Sequence, residues 1–187
     1  MSHQWKIAVL VGSLRKDSFS LKIANTIKIV TPATMKFDFR QIGDLPFYNE
    51  DLENENPPAQ WTAFREWIKA ADALLFVTPE YNRSVPAVLK NAIDVGSRPY
   101  GKNVWDGKPG AVVSVTPGLQ GAFGANHHLR QSLVAVNILT LAKPEAYISN
   151  VTTLIEKDGS SITESTREFL AQFVAAFEQW IITVKSQ

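Results

Sequence analysis

Three stretches of the chain are almost wholly apolar: residues 6–11, 73–78 and 111–115, with Ile7 to Val11, Ala73 to Val77 and Ala111 to Val113 unbroken. Such short, uniform runs fit strands covered on both faces, as in a parallel sheet lined by helices. Residues 35–40 alternate, with Met35, Phe37 and Phe39 set against Lys36, Asp38 and Arg40, and predict a second strand. A short further strand is expected at 145–148. Between these segments the apolar spacing turns helical. Leu21, Ala24 and Ile27 mark one helix, which Pro32 stops. Residues 59–71 predict a second, with Trp61, Phe64, Trp67 and Ile68 facing inward. Others are expected over 86–95, with Pro86 near the first turn, over 125–141, and over 163–185. The last carries Phe169, Phe173, Phe177, Trp180, Ile181 and Val184 at helical spacing. Segments 43–58 and 99–109 read as loops, the second around Trp105, and Asp158-Gly159 as a turn closing a small hairpin. Strands alternating with helices predict an α/β fold, a doubly wound parallel sheet in one domain over 1–187. The order of the strands does not follow from the pattern.

Composition narrows the possible functions. Hydrophobic residues at 45% and charged residues at 20% are ordinary for a globular domain. A net charge of +1 speaks against nucleic acid or an anionic membrane as partner, since both require a concentrated basic face. Cysteine is absent, which excludes disulfides, thiolate catalysis and cysteine-ligated metals. The segment from Met1 to Lys6 has no basic start followed by a long apolar stretch, and no apolar run nears the length of about 18 residues needed for a span. A soluble, cytoplasmic protein is expected.

In an open parallel sheet, ligands bind beyond the carboxyl ends of the strands. Each of the three apolar runs ends there in an unusual loop. The first, Gly12-Ser13-Leu14-Arg15-Lys16-Asp17-Ser18-Phe19-Ser20, offers three hydroxyls, the N–H groups of a starting helix and the permanent cation Arg15. That set suits an anion; a plain capping loop with Arg15 in solvent is the alternative. Neither G-x-x-x-x-G-K-[ST] nor G-x-G-x-x-G follows the first strand, so a mononucleotide phosphate fits better than ATP, GTP or a dinucleotide. The second loop, Pro79-Glu80-Tyr81-Asn82-Arg83-Ser84-Val85-Pro86, is framed by prolines. It either aims backbone groups at a flat polar ligand or merely connects strand to helix stiffly. Arg83 is a candidate substrate or cofactor contact, with a solvated or subunit-contacting role as the alternative. The third loop, Thr116 to Gly124, carries Gly118, Gly121 and Gly124, which allow close backbone approach. His127 and His128 point about 100° apart on a helix, no H-E-x-x-H occurs, and no metal is expected. Ser13 lacks the G-x-S-x-G elbow and no carboxylate pair is evident, so hydrolysis has no machinery.

With these loops in place, the chain resembles the NADPH-dependent FMN reductases, in particular their chromate- and quinone-reductase branch. The first loop, Leu45-Pro46-Phe47-Tyr48-Asn49-Glu50-Asp51, the second loop with Leu89-Lys90-Asn91-Ala92-Ile93-Asp94, His128-Leu129-Arg130-Gln131 and Lys143-Pro144-Glu145 carry the likeness, in order along nearly the whole chain. The resemblance implies a flavodoxin-like fold with a five-stranded sheet ordered 2-1-3-4-5 and FMN at the switch point. It assigns the FMN phosphate to Ser13, Arg15, Ser18 and Ser20, with Phe19 among the cofactor contacts. It has Pro79, Glu80, Tyr81 and Asn82 line the flavin ring, largely through backbone, with Thr116 and Gly118 opposite. Arg83 stands where some relatives have tyrosine, which bears on the substrate, and Thr116 where some have serine. The implied activity passes electrons from NADPH or NADH through FMN to quinones, flavins, azo compounds or metal oxyanions such as chromate. The flavin carries that chemistry, and no catalytic side chain is expected. A flavodoxin-type electron carrier is the alternative; carriers of that kind are strongly acidic and have a [ST]-x-T-G-x-T loop where this chain has Arg15. The relatives form homodimers or homotetramers in which a neighbouring subunit walls the site, and Arg130 and Glu145 are similar to positions used in that assembly.

Overall fold

The computed structural model describes residues 4–155 and 162–186, so the turn expected at Asp158-Gly159 lies outside the described residues. Among the described residues, six strands form one sheet: β1 (Trp5–Val11), β2 (Met35–Phe39), β3 (Ala73–Thr78), β4 (Pro109–Val115), β5 (Leu139–Thr140) and β6 (Ala146–Ile148). Seven helices accompany them among the described residues: α1 (Phe19–Val30), α2 (Glu50–Glu55), α3 (Ala59–Lys69), α4 (Ala87–Gly96), α5 (Phe123–Ala135), α6 (Val151–Leu154) and α7 (Glu164–Lys185). All pairings are parallel, in the order β2-β1-β3-β4-β5, with β6 also on β4. This is the flavodoxin-like order.

Every residue of β3 and β4 is buried because helices cover both faces of the sheet. On one face Val9, Leu75 and Val113 meet Ile23 and Ile27 of α1 and Phe173 and Phe177 of α7. On the other, Leu10 and Phe76 meet Trp61 of α3, Leu89 of α4, Leu129 of α5 and the fully buried Trp105. Each such side chain contributes about 1.5–3 kcal/mol relative to exposure, which makes the central strands the stiff part to which the loops are fixed. The register sets Val11 beside Val77, and Val77 beside Val113, so the three strands end within two residues of one another. The loops starting at Gly12, Pro79 and Thr116 therefore leave the sheet at the same edge.

The fifth position of the sheet is split. β5 pairs with Pro109 and Gly110 at the start of β4, and β6 pairs with Val113 to Val115 at its end. The sequence pattern predicted only the second half. It also ran a helix through to Leu141, whereas α5 stops at Ala135. Asn137 takes a left-handed conformation (φ 59°), a common way to end a helix, and its amide donates to Asp106 at 2.9 Å. Val136, Ile138 and Leu141 stay buried, so the apolar pattern continues after the helix has ended. α2 lies inside the segment expected to be a loop. Its Asn49 cap accepts the Asp51 N–H at 3.1 Å, and none of its residues is buried, hence no apolar stripe announced it. Among the described residues, no helix is long and apolar enough to cross a membrane.

Candidate functional site

The loop leaving β1 is pressed inward at once. A Cβ on Gly12 would lie 2.5 Å from Leu89 Cδ1 and 3.2 Å from Pro79 Cδ, so a side chain there would have to displace the buried Leu89. Ser18 caps α1: its Oγ accepts the Leu21 N–H at 3.2 Å, which leaves its hydroxyl proton free of that bond. Ser18 and Ser20 are buried, Ser13 is half-buried and Arg15 is exposed. Among the described residues, the side chains of Ser13, Arg15 and Ser20 have no hydrogen-bond or ion-pair partner. Phe19 packs partly against the core beneath the loop. Beside the loop lies a cavity of about 500 Å³, bounded by Gly12, Leu14, Arg15, Phe47, Tyr81 and Pro86. Its outer wall is the segment 45–48, and the buried Asn91 of α4 holds that wall. Asn91 Oδ1 accepts the Tyr48 N–H at 2.9 Å, and Nδ2 donates to Leu45 O and Pro46 O at 3.1 and 3.2 Å.

The second loop is a miniature hairpin. Tyr81 and Ser84 exchange backbone hydrogen bonds of 3.1 and 2.9 Å around Asn82 (φ 51°) and Arg83 (φ 64°). Two left-handed residues in succession make a type I′ turn, where Asn-Gly is the usual pair. Arginine in that conformation costs about 1–2 kcal/mol, and neighbouring contacts hold it there. Arg83 Nη1 lies 3.1 Å from Glu80 Oε1 and also donates to Gln120 Oε1. Glu80 Oε2 accepts the Ala125 N–H at 3.0 Å, which ties the hairpin to the first turn of α5. Gly124 makes the approach possible, because a Cβ there would be 2.7 Å from Arg83 O and 2.9 Å from Glu80 Oε2. His128 Nδ1 and Ser84 Oγ, 3.0 Å apart, close the same seam.

The third loop is braced from below. Thr116 Oγ1 accepts the Gly118 N–H at 3.2 Å, and Gly118 O accepts the Asn150 N–H at 3.0 Å. Ser114 Oγ donates to Gly121 O at 2.6 Å and accepts from Asn126 Nδ2 at 3.1 Å, with Ser114 and Asn126 fully buried. Arg130 extends this chain inward, donating from Nε to Asn126 Oδ1 and from Nη1 to Leu141 O, both at 2.9 Å. Glu145 instead accepts from the Tyr147 hydroxyl at 2.8 Å, and that hydroxyl meets His127 Nε2 at 3.0 Å. Burial, and then the Glu145 hydrogen bond, push the Tyr147 phenol up to about 12. A second cavity of about 390 Å³ opens between the hairpin and α5, lined by Arg83, Gln120, Phe123 and Gly124.

Ser13, Arg15, Ser18, Ser20, Pro79 to Arg83, Thr116 and Gly118 thus all stand at one edge of the sheet. His127 and His128 engage different partners, and among the described residues no group of three or more His, Asp or Glu could hold a metal ion. A larger cavity of about 530 Å³, between β2 and α3 around Trp67, lies away from all three loops. The sequence reading did not single out Gln120, the Ser114–Asn126 pair or the bracing role of Asn91. A polar residue on the buried stripe of α4 was the one available signal, and it marks Asn91. Unpartnered hydroxyls, a free guanidinium and a helix N-terminus form a donor set suited to a phosphate dianion. Rigid backbone at Pro79 and the glycine-bearing third loop suit a flat ring.

The profile of the family described as NADPH-dependent FMN reductase matches residues 5–153. The quinone reductase of Pseudomonas putida is 52% identical over 181 residues, 97% of each chain. The 2-hydroxy-1,4-benzoquinone reductase of a Burkholderia species is 43% identical over 176 residues, 94% of this chain and 96% of that one. Among solved structures, FerB of Paracoccus denitrificans, a flavoenzyme NAD(P)H:(acceptor) oxidoreductase, superimposes with a TM-score of 0.89 at 42% identity, covering 96% of this chain and 98% of that one. The match along the chain and the shared fold agree: the chain belongs to the NADPH-dependent FMN reductase family and is an oxidoreductase of flavodoxin-like fold.

Proposed function

We propose that the chain, as a single domain, moves electrons from NADPH or NADH through bound FMN to small-molecule acceptors. Quinones lead the list, with flavins, azo compounds and metal oxyanions such as chromate beside them. The observation that carries this reading is the unpartnered set Ser13, Arg15 and Ser20 at the start of α1, facing the same sheet edge as the locked hairpin and the Thr116 loop. When bound, FMN supplies the chemistry of accepting and passing on a hydride. The protein's part is positional. Ser13, Arg15, Ser18 and Ser20 hold the phosphate, Arg15 through a charge-assisted fork, and Phe19 braces the loop. Pro79, Glu80, Tyr81 and Asn82 line one side of the ring through a backbone fixed by the Glu80–Ala125 contact. Thr116 and Gly118 line it from the third loop, and Arg83 stands beside the acceptor's approach. Exposed apolar side chains around the edge, Phe47 and Leu119, support a homodimer or homotetramer that covers them. Cytoplasmic residence accords with the absence of cysteine.

The purified protein is expected to be yellow, and to bleach when NADPH is added without oxygen. Reoxidation by a quinone then completes the cycle. A colourless protein that FMN cannot reconstitute refutes the proposal.

A further inference from the structure

The cavity between the hairpin and α5 has a charge arrangement that the phosphate loop lacks. Its lining is one cation, one amide, one aromatic ring and a glycine: Arg83, Gln120, Phe123 and Gly124, around about 390 Å³. That volume is near the lower end for ligand pockets, which run from about 300 to 1,000 Å³, and suits one or two fused rings better than a nucleotide. Phe123 is 55% exposed, packs its ring 4.1 Å from the His127 ring centre, and gives the cavity its one aromatic wall. Arg83 and Glu80 are paired, yet unequally placed: the arginine side chain is 71% exposed and the glutamate 12%. Glu80 lies behind the guanidinium with its second oxygen held by the Ala125 N–H, while only Nη1 of Arg83 is engaged. Nε and Nη2 remain unengaged on a side chain that is 71% exposed, and the left-handed turn at Arg83 fixes the root of the side chain. An acceptor entering here meets the cation before the carboxylate.

We infer that Arg83 makes this cavity selective for acceptors that are both aromatic-sized and anionic, namely hydroxyquinones ionised at neutral pH, over neutral quinones of the same shape. The inference rests on the FMN-oxidoreductase reading above. The electron count is that of quinone reduction: NAD(P)H loses a hydride and becomes NAD(P)⁺. The quinone gains those two electrons with the hydride's proton and one further proton from solvent, giving the hydroquinone. Arg83 forms no covalent bond; its two free donors face the ionised oxygen.

The test compares 2-hydroxy-1,4-naphthoquinone, an anion at neutral pH, with neutral 2-methyl-1,4-naphthoquinone, in the FMN-loaded wild-type protein and in Arg83→Gln and Arg83→Lys. The readout is the ratio of kcat/KM for the two acceptors within each protein, which removes any general loss of activity. It is accompanied by binding of the hydroxyquinone to the oxidised protein without NADPH, followed by flavin fluorescence. The ratio should fall about tenfold in Arg83→Gln, be largely retained in Arg83→Lys, and decline with added salt in the wild type. An equal ratio in all three proteins, or wild-type binding of the anion that is indifferent to salt, overturns the inference. The salt arm stands even if Arg83→Gln fails to fold. Failure to bind FMN or to oxidise NADPH at all would instead count against the underlying activity.

Discussion

Replacing Gly124 by alanine sets two opposed effects against each other. Gly124 lies in the first turn of α5 and outside the left-handed region, so helix propensity alone favours alanine by about 1 kcal/mol. Against this, the new methyl would sit 2.7 Å from Arg83 O, 2.9 Å from Glu80 Oε2 and 3.2 Å from Arg83 C. Two of those atoms are hairpin backbone and cannot swing aside. Forcing a methyl into a packed site costs about 1–3 kcal/mol. Moving the hairpin also stretches the Glu80–Ala125 contact, a hydrogen bond to a charged group worth about 1.5–3 kcal/mol when intact. The clash therefore wins, and Gly124→Ala should lose about 1–3 kcal/mol net. Urea unfolding of the flavin-free protein measures this directly. Gly118→Ala is the control, since a Cβ there meets only Thr116 Oγ1 at 3.6 Å, and its stability should stay within about 0.5 kcal/mol of wild type. FMN should also bind Gly124→Ala more weakly, because the displaced hairpin carries Pro79 to Asn82. A Gly124→Ala protein that unfolds at the wild-type urea concentration or above, with unchanged FMN affinity, would refute the locked hairpin.

Two further outcomes follow from the other loops. Arg15→Ala should weaken FMN binding by about 1.5–3 kcal/mol, the scale of a hydrogen bond to a charged group, read by fluorescence titration of the flavin-free protein; unchanged affinity would remove Arg15 from the phosphate site. Asn91→Leu keeps the branched heavy-atom shape but strands the Tyr48 N–H and Leu45 O. It should cost about 1–3 kcal/mol and speed proteolysis within 43–58. Wild-type stability and an unaltered cleavage pattern would mean that the segment is held by something other than Asn91.

The apolar runs at 6–11, 73–78 and 111–115 were legible because central strands are buried on both faces, and runs of that length ending at loops fit a doubly covered sheet. The gathering of three loops at one edge then followed, since the loops after parallel strands leave at their carboxyl ends. The order of the strands did not: it came through the family likeness, since parallel pairing leaves no local mark. The end of α5 was misread because burial continued through Val136, Ile138 and Leu141 while the backbone changed at Asn137, and apolar spacing reports burial, not backbone. The type I′ turn at Asn82 and Arg83 escaped notice for want of a glycine. The link from Glu80 to Ala125 joins residues 45 apart in sequence, a separation at which no local pattern operates. Gly124 was noticed as one glycine among three, but its reason, the closeness of Arg83 O, exists only in the folded chain.

The split fifth position has a bearing on how the protein behaves when crowded. A long unpaired border on a sheet is a template for stray strands and for polymerisation. Here one border is broken into β5, with two residues, and β6, with three, so an intruding strand finds no continuous ladder to copy. The opposite border, β2, turns Lys36 and Asp38 to solvent between buried Met35 and Phe37, so a strand added there would have to lie against charge at every second residue. A sheet with an apolar centre is thus closed to edge-on aggregation by brevity at one border and by charge at the other.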